Sequence, residues 1–219
     1  MESNFKIKIL LTGAAASKKS DLLNDFIKSK FSTNYKLTVG VDIMTKDVEF
    51  KPGELATLTI WDIGGQHEFD FVRSTFYKGA SGVLVVFDLT REETYEEIKN
   101  WLTEIRKYTE QDIPFALIGN KADLIEKAGE VLDHEKAREL AEDEGMIYIE
   151  TSTRTGELDK LEEAFTELTR KIVEKKEKES APERTEKEKK EFPRKIIEKE
   201  KKESPQKRSE KKKKKELTF

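Results

Sequence analysis

Before residue 151, apolar residues alternate or run in β-branched blocks six times, and between the blocks they recur with a period near 3.6. The blocks predict strands at Phe5–Leu11, Val41–Phe50, Leu55–Asp62, Gly82–Leu89, Pro114–Gly119 and Met146–Glu150. The periodic stretches predict helices over about 19–30, 92–109, 133–144 and 156–175. Strands and helices taking turns imply an α/β fold, a six-stranded, mostly parallel sheet with helices on both faces. Val41–Phe50 departs from that rule. Pro52-Gly53 turns it directly back into Leu55–Asp62, and this hairpin predicts one antiparallel edge strand. Ligands of such sheets gather at the carboxyl ends of the strands, which is where the candidate chemistry falls.

The pattern stops near Glu174. Beyond it the chain is mostly Lys and Glu, interrupted by Pro182, Pro193 and Pro205, with Phe192, Ile196 and Ile197 as its only apolar cluster. That is too little apolar surface to offset the entropy of ordering. A domain over 1–173 is therefore expected, followed by a charged tail over 174–219 that is disordered or partly helical. Glu–Lys pairs at i,i+4 can carry the last helix somewhat past 175, at ~0.2–0.5 kcal/mol each. The overall charge of −3 hides this division: the tail carries 19 basic against 12 acidic residues, and the body is acidic.

The 219 residues include no cysteine, which excludes disulfides, thiolate zinc sites, cysteine nucleophiles and prenyl or palmitoyl anchors. Glu2 after Met1 argues against myristoylation, and the longest apolar run, Val83 to Phe87, is far short of the ~20 residues of a membrane span. The expectation is a cytoplasmic chain with no lipid anchor and no specific nucleic-acid partner. Its basic tail could touch anionic membrane weakly and transiently.

Gly13-Ala14-Ala15-Ala16-Ser17-Lys18-Lys19-Ser20 follows the first strand and opens the first helix. This is the spacing of a phosphate-binding loop, G-x-x-x-x-G-K-S/T, with Lys18 in place of the second glycine. In such a loop the backbone N–H groups curl around phosphate and the Lys19 ammonium bridges terminal phosphates. The Ser20 hydroxyl can take Mg²⁺, and the helix N-terminus adds partial positive charge. Asp62-Ile63-Gly64-Gly65-Gln66 ends the third strand: Asp62 can hold a metal-bound water, Gly65 offers an N–H to a terminal phosphate, and Gln66 can orient an attacking water. Asn120-Lys121-Ala122-Asp123 ends the fifth strand. The Asp123 carboxylate can accept hydrogen bonds from N1 and the 2-amino group of guanine, a donor pair adenine lacks, while Asn120 and Lys121 brace the pocket. Thr151-Ser152-Thr153, after the sixth strand, can supply an N–H to the guanine oxygen.

In this order and context the motifs resemble a Ras-superfamily small GTPase over about residues 5–173. The stretch from Phe76 to Thr90 and Asn100-Trp101-Leu102 are similar to Rab proteins, and Trp61 to Gln66 has an Arf-like form. The resemblance implies a P-loop small-GTPase fold and a switch that binds GTP or GDP with Mg²⁺ and hydrolyses GTP slowly. Nucleotide contacts would come from Gly13, Ala14, Ala15, Ala16, Ser17, Lys18, Lys19, Ser20, Phe31, Thr38, Asp62, Gly65, Asn120, Lys121, Asp123, Ser152, Thr153 and Arg154. Gln66, Lys19 and Thr38 would be catalytic, with Ser20, Thr38 and (through water) Asp62 at the metal. Thr38 stands in Thr38-Val39-Gly40-Val41-Asp42, which resembles the first switch. Phe31 would lie on the base edge, or be a core phenylalanine at a helix end.

Effector, exchange-factor and GTPase-activating proteins would meet loops around 33–42 and 64–78. Ile43, Trp61 and Phe76 match an apolar effector patch, with buried core an equal reading for Trp61. Arg73 is expected on the helix after Gln66 and not as an arginine finger, and His67 as a polar loop residue. Lys18 leaves two outcomes open. If position 18 requires positive φ, lysine costs ~1–2 kcal/mol and binding survives. If its Cβ would strike a phosphate oxygen, binding fails and the chain is a pseudo-GTPase acting as a protein-binding module.

Overall fold

A computed structural model describes residues 5–28, 36–38, 41–64, 70–110, 112–125, 134–152, 154 and 158–180. The chain divides into two compact units, Met1–Lys176 and Glu177–Phe219. The first unit holds a seven-stranded sheet in the order β2-β3-β4-β1-β5-β6-β7. Its strands are β1 (Phe5–Gly13), β2 (Lys36–Thr38), β3 (Val41–Lys51), β4 (Glu54–Ile63), β5 (Gly82–Asp88), β6 (Phe115–Asn120) and β7 (Ile147–Glu150). The helices are α1 (Lys19–Lys28), α2 (Asp70–Tyr77), α3 (Glu92–Tyr108), α4 (His134–Asp143) and α5 (Leu158–Ser180).

All six strands and four helices expected from periodicity are present. β4, β1, β5, β6 and β7 are mutually parallel, while β3 runs antiparallel to β4 through the Pro52-Gly53 turn. Gly53 takes φ 79° there, and its N–H donates to Glu49 Oε1 at 2.8 Å. Two elements were not legible. The three-residue β2 pairs antiparallel outside β3, so the hairpin strand is not the outermost. α2 lies in a stretch that the sequence reads only as a loop with a helix somewhere beyond it. Both are short: three residues span about one and a half strand periods and eight about two helical turns, too few repeats to stand out from the flanking sequence.

Side-chain alternation along the strands divides the core in two. Ile7, Ile9 and Leu11 of β1 point to the face covered by α1 and α5, where Phe26 and Phe165 stack with centroids 4.2 Å apart. Leu10, Val83, Val85 and Phe87 point to the face covered by α2, α3 and α4, around Tyr77, Ile98, Trp101 and Ala137. β5 and β6 are buried along their whole length, as strands covered on both faces must be. β1 is central, its neighbours being β4 on one side and β5 on the other. Its carboxyl end thus lies where the strand order reverses, the place where α/β sheets present a crevice.

Candidate functional site

Strand register brings the motifs to one edge. Leu11 pairs with Asp62, Gly13 with Val86, and Asp88 with Asn120, so β1, β4, β5 and β6 all end together. At Gly13 the backbone takes φ 128°, and a Cβ added there would stand 2.0 Å from the Val86 carbonyl oxygen. Only glycine lets β1 pass β5 this closely. Ala14 to Ser17 then close a tight turn, in which the Ser17 amide and hydroxyl both donate to the Ala14 carbonyl, at 3.1 and 2.7 Å.

Lys18 follows with φ 57° and ψ 34°, a left-handed conformation. Its carbonyl accepts from the Leu22 amide at 3.1 Å and so starts α1. The side chain is about 60% exposed and its ammonium lies 3.3 Å from Asp21. The structure therefore gives position 18 the positive φ for which glycine is the unstrained choice, at a cost of ~1–2 kcal/mol for lysine.

The base loop is tied to the phosphate loop by long-range hydrogen bonds. Asn120, fully buried, donates from Nδ2 to the Ser17 carbonyl at 2.8 Å, and its Oδ1 accepts from the Lys121 amide at 2.8 Å. The Lys121 ammonium donates to the Ala16 carbonyl at 3.0 Å and to the carboxylate of buried Asp88. With carbonyls 16 and 17 drawn toward the base loop, the phosphate loop is held from behind. Burial by itself would raise the Asp88 carboxyl, but hydrogen bonds from Lys121 and Thr90 prevail and hold it below the usual range. The Thr151 amide donates to the Gly119 carbonyl at 2.8 Å, and the Ala122 amide to the Thr151 carbonyl at 3.1 Å, locking the β7 end to the β6 end.

Ser152 Oγ donates to Asp123 Oδ1 and accepts from the Arg154 amide at 3.1 Å. Asp123 Oδ2 is buried without an aligned hydrogen-bond donor, although Arg154 Nε lies 3.2 Å away. That oxygen is ion-paired with Arg154 but still has room for an aligned donor.

Across the phosphate loop, Lys19 is 5% exposed and Asp62 4%. Ser20 hydrogen-bonds the Asp62 carboxylate, leaving Asp62 Oδ1 buried without a donor. Burial raises the Asp62 carboxyl above its ordinary range, against the pull of Ser20 and Lys19. Burial likewise lowers the Lys19 ammonium; Asp62 opposes this and Arg73 adds to it. The cluster thus holds a poorly solvated cation and a carboxylate oxygen able to accept from a metal-bound water, which fits a Mg²⁺–phosphate group.

Thr38 is placed through its backbone, ending β2 opposite Val41. Phe31, Gly65, Gln66, His67 and Thr153 lie outside the described residues. Ile43 and Trp61 are register partners on β3 and β4, and the Trp61 and Phe76 rings are 6.0 Å apart. All three are partly buried against the core, so Trp61 is both core and patch. Lys8 adds to it: its ammonium sits 3.9 Å from the Trp61 ring centroid and donates to the Lys78 carbonyl at 2.9 Å. Sequence reading missed Asp88 as the counter-charge of Lys121. Its signal was a carboxylate ending an otherwise wholly apolar strand at the ligand edge.

The model of the Ras family matches residues 8–174. The chain is 40% identical to the Ras-related protein Rab-4A of Homo sapiens over 83% of its own length and 81% of that protein's. It is 38% identical to the Ras-related protein RABA5b of Arabidopsis thaliana, covering 77% and 79%. With the Ras-related protein YPT3 of Nicotiana plumbaginifolia the identity is 39%, covering 83% of each.

Proposed function

Since the chain belongs to the Ras family, as a Rab-like small GTPase, we propose that it is a working guanine-nucleotide switch that takes Mg²⁺ with GTP or GDP and hydrolyses GTP slowly. The observation that carries the reading is Asp123 Oδ2, a buried acceptor with unused capacity in a loop whose neighbours brace the phosphate loop. N1–H and the 2-amino group of guanine are the aligned donors that the Asp123 carboxylate, now ion-paired with Arg154 through that oxygen, would take.

In this reading Lys19 neutralises the terminal phosphates. Ser20 and, through water, Asp62 would hold Mg²⁺, and Thr38 would close from β2. Bound Mg²⁺ would supply charge stabilisation for phosphoryl transfer. The described residues include no group of three or more His, Cys, Asp or Glu able to hold a metal, so phosphate and water would complete the shell. Gln66 would orient the attacking water for in-line displacement. Arg73 is committed to Glu104 and is not an arginine finger in this arrangement, which supports slow turnover that waits for a partner. Exchange factors, activating proteins and effectors would engage the switch segments and the Ile43, Trp61 and Phe76 patch.

The rival reading, a pseudo-GTPase serving as a binding module, draws on the strain at Lys18. Against it, the lysine side chain is directed to solvent and Asp21. A cost of ~1–2 kcal/mol weakens binding about ten-fold, not completely.

Chromatography of the nucleotide released from purified protein, with melting curves in GDP and Mg²⁺, separates the two. The switch reading expects bound guanine nucleotide and a rise in Tm. Neither effect appearing would leave the pseudo-GTPase. Asp123→Ala is expected to weaken GDP about a hundred-fold or more, through loss of two charge-assisted hydrogen bonds. ADP binding should be unaffected.

The protein would be cytoplasmic, with residues 174–219 a charged appendage through which it can touch anionic membrane transiently. Sedimentation with anionic liposomes at two salt concentrations tests this, and no binding at low salt would reduce the tail to a spacer.

A further inference from the structure

Arg73 is a charged side chain only 6% exposed. From α2, its Nε and Nη2 reach Oε1 and Oε2 of Glu104 on α3, at 3.3 and 3.1 Å. Its guanidinium carbon lies 4.5 Å from the centroid of the Trp101 ring, one turn back on α3. Tyr77, fully buried at the end of α2, donates its hydroxyl to the same Glu104 Oε1 at 3.0 Å. One carboxylate thus receives two side chains a turn apart on α2.

A guanidinium–carboxylate fork fixes rotation as well as distance, and an aromatic face beneath it removes the remaining freedom of the guanidinium plane. Apolar packing is non-directional and fixes the rotation of an eight-residue helix less sharply. The charge also bears on the site, since Arg73 is among the groups that hold the Lys19 ammonium down, after burial and against Asp62. In sequence, α2 directly follows the segment that carries Gly65 and Gln66.

We propose that Arg73, Glu104 and Tyr77 form a clamp that sets the position of α2 on α3. Arg73 and Glu104 are then positioning residues for GTP hydrolysis, and neither touches the substrate. The kinetic half of this proposal rests on the switch reading; the structural half does not.

The test uses the full chain and hydrogen exchange resolved by segment. Glu104→Gln keeps the side chain's shape and removes the charge that Arg73 needs. It should lower the protection of Asp70–Tyr77 amides about ten-fold or more, while β1, β5 and β6 amides keep theirs. GTP turnover should fall about ten-fold with GDP affinity unchanged, the pattern of a group felt only in the transition state. The double variant Arg73→Met, Glu104→Met, which packs without a fork, should recover the melting temperature but not the turnover.

Unchanged α2 exchange in Glu104→Gln, protection lost equally across the sheet, or wild-type turnover in the double variant would each overturn the clamp as a positioning device. If wild-type protein binds no guanine nucleotide, the kinetic half fails with the switch reading. The α2 exchange of Glu104→Gln then decides the clamp by itself.

Discussion

In the base loop, Asn120, Lys121 and Ser152 direct their polar groups to carbonyls and carboxylates of the protein itself. Around the phosphate loop, by contrast, Lys18 holds a left-handed backbone, Lys19 is desolvated, and Asp62 keeps a buried oxygen with no donor. Apart from Asp123 Oδ2, which lacks an aligned donor, the base side is therefore preorganised by contacts that need no ligand. On the phosphate side the desolvation of Lys19 and Asp62 is a cost that a phosphate and a cation would relieve on binding, whereas the strain of the Lys18 backbone is not relieved. Affinity for nucleotide should come from relief on one side and from readiness on the other.

The largest effect is expected where the two sides meet at β1 and β5. Gly13→Ala places a methyl group against the Val86 carbonyl at a φ that alanine rarely adopts. It should lower the melting temperature by roughly 10 °C or prevent folding. A wild-type melt would show that the strand ends can separate, and the contrast between a rigid and a strained half would dissolve.

Next comes Asp88→Asn, which removes the counter-charge of Lys121 and should cost ~3 kcal/mol at neutral pH. Because folding holds the Asp88 carboxyl below its usual range, its contribution is complete above the unfolded value near 3.9. The contribution is then lost as pH falls through the lower folded value. Stability of the Asp88→Asn protein should accordingly fall less between pH 5 and pH 2 than that of wild type. Parallel acid limbs in denaturant titrations would mean the pair does not hold the base loop.

The smallest effect is at Lys18. Lys18→Gly should stabilise the protein by only ~1 kcal/mol, since the relief of left-handed strain is partly offset by glycine's greater entropy when unfolded. GDP affinity should rise by up to about ten-fold. If both stay level, the phosphate side stores no strain at this position.

Much of this was legible in the chain. Six of the seven strands appeared within two residues of their observed ends, β5 and β6 because burial on both faces demands an uninterrupted apolar run, β3 and β4 because their burial alternates. The last helix reaches Ser180, past the expected 175, and ion pairs of Arg170 with Glu167 and Glu174 run along its surface. Within the site, the sequence placed Asn120 and Lys121 as braces without saying what they brace. Ser17 and Ala16 lie more than a hundred residues away, and no local pattern carries that partner's identity. Arg73 was read as a helix residue and no more, because nothing in Asp70–Tyr77 announces a carboxylate on α3.

By itself the sequence determined which residues of this protein end strands and which chemical groups those ends present, because strand and turn preferences act over a few residues. Only the tertiary structure decided how those groups are committed. It turned the Lys18 side chain outward while its backbone took the glycine conformation, gave Lys121 to Asp88, and left one oxygen each on Asp62 and Asp123 without an aligned hydrogen bond. Burial, register and the meeting of distant strand ends set those outcomes. All three are properties of the packed sheet, not of any segment within it.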